Sequence, residues 1–297
     1  MEWPTYLVVV AVYGGWLALT WNFTALPLWA AIPAGAALLA WHASLQHETI
    51  HGHPTRRRRL NTALGWPPLS LWIPYALYRA SHLAHHNNDR LTDPLADPES
   101  FYVTPAEWSR SGPWRRALLW SNRTVLGRLV LGPALVAGRF LAAEVGAMRR
   151  GDPGRRGLWL RHGLAVAAVL VWVAAVCDIP LWLYVFGICY PGLSLTLLRS
   201  YAEHRPAAKP ADRTAVVRAG PFFGLLFLNN NLHVAHHARP GLAWYRLPAL
   251  NRRIDGDGQA AAGAGLHPGY GVLAWRHLLR PLDHPVHPFA GAAPAGR

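Results

Sequence analysis

The stretch SLQHETIHGHP, Ser44–Pro54, sets three histidines and a glutamate at the end of an apolar run. Within it His47, Glu48 and His51 form HExxH, the spacing of zinc peptidases: two imidazole ligands one helical turn apart and a carboxylate base beside them. Two later groups repeat a different pattern. His82, His85 and His86 make HLAHH, His233, His236 and His237 make HVAHH, and His204 stands alone in RSYAEHR. On a helix, residues three and four apart share a face, so each group presents its rings together. Neutral imidazole ligates iron, zinc, copper and nickel. Nine rings exceed the needs of one tetrahedral or octahedral ion, whereas two ions with four or five ligands each use them all. A zinc hydrolase needs His47, His51, one further ligand and Glu48 as base; it leaves both HxxHH groups without a task and stands as the rival from another class. A non-catalytic membrane protein is the last alternative. His42, His53, His162, His277, His284 and His287 fall outside the pattern and read as solvated side chains.

These rings need a scaffold, and composition says which kind. The 297 residues are 52% hydrophobic and only 15% charged, against about a quarter charged in ordinary soluble domains. Apolar runs without Lys, Arg, Asp or Glu cover about 6–21 and 25–45, and a second pair lies near 163–177 and 180–198. Runs of this length approach the roughly 20 residues that span a bilayer. The connectors NFT and DI are tiny, so the expected architecture is all-α, with four transmembrane helices in two hairpins. The net charge of +14 is carried almost wholly by arginine, and no Lys or Arg precedes Arg56 or falls between His162 and Arg199. The positive-inside rule then places 46–162 and 199–297 in the cytoplasm. All four histidine stations lie on that side, in a helical cap of a protein expected to be multi-pass in the inner membrane. Charge that follows membrane sidedness argues against nucleic acid as the partner.

The chain reads as one domain, 1–297, without internal repeat or linker. Cys177 and Cys189 are too few for a cysteine-ligated cluster. The start MEWPTYLVVV lacks the basic region of a signal peptide. The apolar segment Thr124–Val145 carries Arg128 and Arg139 about three turns apart on one stripe, which suits an interfacial helix, with a fifth span as the alternative. LSLWIPYAL, Leu69–Leu77, is short and reads as dipping into the interface or packing on the core. From about 251 onward the tail is rich in Gly, Ala and Pro and reads as loop and flexible end. His267 in HPGY has the look of a haem-binding motif, but too little chain follows it to build such a domain.

With all four stations in view, the sequence resembles the membrane fatty acid desaturase and hydroxylase superfamily, from about the second span to ARPGLAWYRLP, Ala238–Pro248. HETIHGHP and NNDRLTDPLADPESF look most like the bacterial branch that includes dihydrorhizobitoxine desaturase. The resemblance implies two non-haem irons held by His47, His51, His82, His85, His86, His204, His233, His236 and His237, with O2 as co-substrate. In several relatives an asparagine stands four residues before the isolated histidine; here Ser200 takes that place. Asn229, Asn230 and Asn231 precede the third group without an evident counterpart. By adjacency, Glu48, Asp89, Asp93 and Glu203 are the carboxylates expected to accept ring N–H groups, each with an alternative as a cap or ion-pair partner.

The implied reaction is O2-dependent desaturation of an acyl chain, a lipid or a smaller aliphatic compound such as an amino-acid derivative. A hydroxylase or ketolase on the same scaffold is the alternative, because substrate placement and not the histidines decides which product forms. No flavin, nicotinamide or iron–sulfur motif occurs, so electrons are expected from a separate ferredoxin-like donor with its reductase. The arginine-rich face, including Arg56–Arg59, could dock such an acidic donor or contact membrane lipids.

Overall fold

A computed structural model describes residues 2–290. They are predominantly helical, with one two-residue parallel pairing, Val216–Val217 against Leu266–His267. The chain gathers into two compact units. One takes residues up to Tyr78 and Gly132–Thr196; the other takes Arg79–Leu131 and the described residues from Leu197 onward.

The first unit holds the membrane helices. Helix α1, Trp3–Trp21, starts with a proline in its first turn, where the missing N–H costs nothing. It packs along α2, Leu28–Ile50. A third long apolar helix runs from Arg155 to Val176, its last turn widened to π geometry. These three are long and apolar enough to cross a membrane. The fourth expected span is helical but not one regular α-helix: Leu183–Cys189 is π-helical and Tyr190–Ser200 is α. Its π segment packs on α2. Small residues permit that approach, since a Cβ at Gly192 would stand 2.8 Å from the Leu39 Cβ and one at Gly35 3.0 Å from Ile188.

Some polar groups in this unit's core pair with one another, which a lipid-embedded interior favours. Trp16 Nε1 donates to Tyr184 Oη at 3.0 Å, and that hydroxyl donates to the Leu69 carbonyl at 2.7 Å. Trp3, Trp21, Trp29 and Trp182, at helix ends, are largely exposed, the pattern of an aromatic belt at the membrane surface. Apolar helices of this length and surface make the chain a membrane protein. Helix α2 runs five residues past the expected 45, which carries His47 into helical geometry. Two short helices complete the path to the second histidine group: α3, Arg58–Gly65, and α4, Tyr75–His86.

The second unit is a set of short helices around a small-residue core. Val216, Val234 and Ala260 pack with Leu232, Ile254 and Leu266, and Ala235, Leu247 and Leu250 form an adjoining cluster. The Gly- and Ala-rich tail is therefore ordered where loop was expected: Gly256–Ala262 and Tyr270–His277 are helices. Asp255 caps the first by accepting from the Gly258 N–H, and Gly263 lies against the Asp212 backbone too closely for a side chain. Small residues here serve close packing. Residues 291–297 of the tail lie outside the described residues.

Two further expectations change. Thr124–Val145 is not one helix but two, Val125–Val130 and Gly132–Arg149. Pro133 cannot supply the N–H that a continuous helix needs. Arg128 and Arg139 thus fall on different helices, and Arg128 is fully buried with its guanidinium 3.8 Å over the Phe101 ring. Of the histidines read as solvated, His42, His53, His162 and His287 are buried. All four have polar partners: His42 has Tyr13, His53 has Glu2, His162 has the Leu71 carbonyl, and His287 has Thr92.

Candidate metal centre

Three of the four histidine stations lie in the second unit, and their imidazoles meet. His82, His85 and His86 occupy the last turn of α4, where the i, i+3, i+4 spacing puts them on one face. His233, His236 and His237 fill a six-residue helix, His233–Ala238. Leu228 and Asn229 lead into it with left-handed backbone, φ 48° and 54°, an unusual conformation for side-chain-bearing residues. His204 follows the Tyr190–Ser200 helix and pairs by its backbone with Thr214.

The ring nitrogens converge. His85, His204, His233 and His237 each offer one nitrogen, all within 4.8 Å of one another. The Nε2 separations are 3.1 Å for His85–His204, 2.9 Å for His204–His233 and 3.1 Å for His233–His237. Beside this group, His86 Nε2 lies 3.1 Å from His82 Nε2 and 3.0 Å from His236 Nε2. The two groups adjoin, the His86 and His237 rings stacking at 4.3 Å.

The outer nitrogens decide what these clusters can hold. His85 Nδ1 donates to Asp97 Oδ1 at 2.8 Å and His82 Nδ1 to Glu99 Oε1 at 3.1 Å. His204 Nδ1 donates to the Arg213 carbonyl at 3.2 Å, and His233 Nδ1 to the Asn230 carbonyl at 3.1 Å. A neutral ring with its proton on Nδ1 presents a lone pair on Nε2. Lone pairs about 3 Å apart repel one another unless a cation lies among them. Burial, with His85 and other neighbouring histidines adding to it, keeps these rings neutral: His204 is pushed down to about 3, and His233 and His237 well below the usual value. Burial also acts to lower His85, but its bond to Asp97 and the charges of Glu99 and Glu203 outweigh it and raise it.

The edge lengths test the fit to a metal. Two nitrogens about 2.1 Å from one ion lie about 3.0 Å apart at a right angle and about 3.4 Å apart at the tetrahedral angle. The observed 2.9–3.1 Å edges match the right-angle case. Separations of that length let neighbouring nitrogens share one ion.

The remaining expected residues are placed as follows. His47 and His51 end α2 in the first unit, their ring centroids 4.8 Å apart, and Glu48 is buried between them in sequence. Glu203 is buried, ion-paired with Arg199 at 3.1 Å, and lies 3.6 Å from His233 Nδ1. Its carboxyl is raised, burial outweighing Arg199. Asn230 donates to it at 3.4 Å. Ser200 Oγ turns back to the Leu197 carbonyl. Asp93 accepts from the Leu95 N–H, and the Asp89 carbonyl accepts from Arg213. The carboxylates that accept ring protons of the second histidine group are Asp97 and Glu99, which adjacency did not single out. The signal was present in LADPES: Asp97 and Glu99 follow the histidines by a loop short enough to fold back, as a Thr92–Asp97 bond closes it.

A model of the fatty acid desaturase family matches residues 21–268, a span that includes all nine grouped histidines. No curated protein matches the chain. The match begins at the end of α1 and takes in α2, the later apolar helices and all the grouped histidines, and on that extent the chain belongs to the fatty acid desaturase family.

Proposed function

We propose that this chain is a membrane-bound, non-haem diiron desaturase that uses O2 to introduce a double bond into an acyl chain, a lipid or a smaller aliphatic, amino-acid-derived compound. Family membership makes it an oxidoreductase. The observation that carries the finer reading is the convergence of four Nε2 lone pairs from His85, His204, His233 and His237, with three of the rings fixed by Nδ1 bonds. These four would hold one iron. His82, His86 and His236 would belong to the ligands of the other.

Two such irons, when bound, supply O2-dependent attack on an unactivated C–H bond. The chain's own part is to aim and insulate. Asp97 and Glu99 keep the Nδ1 protons of His85 and His82, so the inner nitrogens stay ligands. Arg199 and Asn230 anchor Glu203 beside His233. Two hydrogens leave adjacent carbons and O2 is reduced to water. Two of the electrons come from the substrate and two from a separate ferredoxin-like donor and its reductase. The arginine distribution supports a centre on the cytoplasmic side of the inner membrane.

The test is iron analysis and product mass on purified protein supplied with a donor, its reductase and O2. About two irons per chain and a product lacking two hydrogens support the proposal. Gain of one oxygen atom assigns a hydroxylase or ketolase on the same scaffold. One zinc per chain with hydrolysis refutes the oxidoreductase reading.

A further inference from the structure

The second unit carries a basic hollow that the oxidoreductase reading does not use. A cavity of about 250 Å³ is lined by Arg205, His267, Arg276 and His277, with Leu266, Pro268, Val272, Leu273 and Leu282 as its apolar floor. It adjoins a wider, more open hollow of about 550 Å³ that shares Arg276 and His277 and adds Arg280. No carboxylate lines either. The carboxylate near Arg205, Asp283 at 3.8 Å, is already engaged by Arg123 and Tyr102. His267 Nε2 and His277 Nδ1 are buried with no hydrogen-bond partner among the described residues. Arg205 and Arg276 with two imidazoles line the smaller hollow, Arg276 and Arg280 the wider one, and the one acidic neighbour of these arginines among the described residues, Asp283 beside Arg205, is shared with Arg123. Leaving those two imidazole nitrogens buried and unpaired is costly.

The rim supplies the second half of the argument. Trp275 is 86% exposed and Leu279 73%, with Leu278 beside it. Trp275, Arg276, Arg280 and the leucines lie within one short stretch, in and just after the Tyr270–His277 helix. Arginines bracketed by exposed tryptophan and leucine are the pattern of a segment lying in a membrane interface. Guanidinium forks match phosphate oxygens. A soluble phosphate compound would account for the arginines but not for the exposed apolar rim.

We propose that this hollow binds the phosphate of an anionic phospholipid headgroup, held by Arg205, Arg276 and Arg280 with His267 and His277 as further donors, while Trp275 and Leu279 rest among the acyl chains. The site also gives HPGY a role: His267 and Pro268 are part of its wall. Burial and the flanking Arg205 charge push His267 down to about 4, so it donates as a neutral ring.

The experiment is native mass spectrometry of the full chain released from detergent, titrated with phosphatidylglycerol or with phosphatidylcholine. The expected result is tight, saturable retention of phosphatidylglycerol over phosphatidylcholine. Arg276→Gln/Arg280→Gln, at exposed positions, is expected to weaken it on the order of 20-fold, the loss of two charge contacts at a lipid surface. Arg115→Gln/Arg116→Gln, elsewhere in the unit, is expected to leave it unchanged. Trp275→Ala is expected to weaken lipid retention without altering iron content. Equal retention of both lipids, or an unchanged affinity in the Arg276/Arg280 variant, overturns the proposal. Displacement of the lipid by inorganic phosphate at equal concentration assigns a free-phosphate site and overturns the lipid source. Unchanged lipid affinity, with turnover lost only when driven by the donor protein, assigns the surface to that donor and overturns it likewise. Lipid retention is read without turnover, so its failure is separable from failure of the diiron reading.

Discussion

The two HxxHH groups are the same motif held in two ways. Within each, the first and last rings stand alike: 3.1 Å between His82 and His86 Nε2, and 3.1 Å between His233 and His237. The outer shells differ. The group at the end of α4 gives its ring protons to carboxylates, Asp97 and Glu99. The later group, with His204, gives them to backbone carbonyls of Asn230 and Arg213. Helical spacing alone produces the inner geometry, so it repeats. The outer partners come from loops of different composition, so they do not. A carboxylate makes its imidazole a stronger ligand than a carbonyl does, and it is also the partner that a point substitution can remove.

The largest effect is expected where an inner nitrogen is lost. His85→Ala or His236→Ala should abolish turnover and lower iron content while the protein still inserts, as read by metal analysis and membrane fractionation. Either variant at full activity would strike its residue from the ligand set and unmake the pairing of the two groups.

Next comes Asp97→Asn. Asp97 accepts from His85 at 2.8 Å and closes its own loop through the Thr92 and Glu99 N–H groups. Removing a ring-orienting carboxylate typically costs 10–100-fold in metal affinity or activity, and a loss of about that size is expected in competition with a chelator. Glu99→Gln should cost less. Its bond to His82 is longer, 3.1 Å, and its side chain is 32% exposed against 2% for Asp97. If the two variants lost metal equally, the ranking by burial and bond length would fail.

On the carbonyl-held side the partner cannot be mutated, but its support can. Arg213 donates to the carbonyls of Ala207, Asp89 and Leu91, fixing the loop whose own carbonyl receives the His204 proton. Arg213→Ala is expected to lower activity only a few-fold, with a loss of stability of about 1–3 kcal/mol from buried hydrogen bonds, measured by thermal unfolding. A loss as large as that of Asp97→Asn would show that carbonyl and carboxylate support are equivalent.

Local pattern made the grouped histidines legible. The i, i+3, i+4 spacing of both HxxHH groups survives into the structure because an α-helix enforces it whatever surrounds it. The apolar runs behaved the same way for α1, α2 and Arg155–Val176. Leu183–Ser200 did not: its first part, Leu183–Cys189, is π-helical and packs on α2, with Gly35 close against Ile188. Of the carboxylates named by adjacency, Glu203 does lie 3.6 Å from His233 Nδ1. Adjacency favoured Asp89 and Asp93, but the loop from Asn87 turns back at Thr92, φ 72°, and delivers Asp97 and Glu99 instead.

What the sequence alone determined is the inventory: helices apolar enough for a bilayer, nine grouped imidazoles, and a charge distribution that suits one side of a membrane. Periodicity and composition are local quantities and need no partner. Only the tertiary structure decided which nitrogens of the second unit meet, which ring protons go to carboxylates, and that the Gly- and Ala-rich tail builds helices and a wall of arginines. Those outcomes depend on contacts between residues apart in sequence, from 12 positions for His85 and Asp97 to 119 for His85 and His204, and no local pattern carries that information.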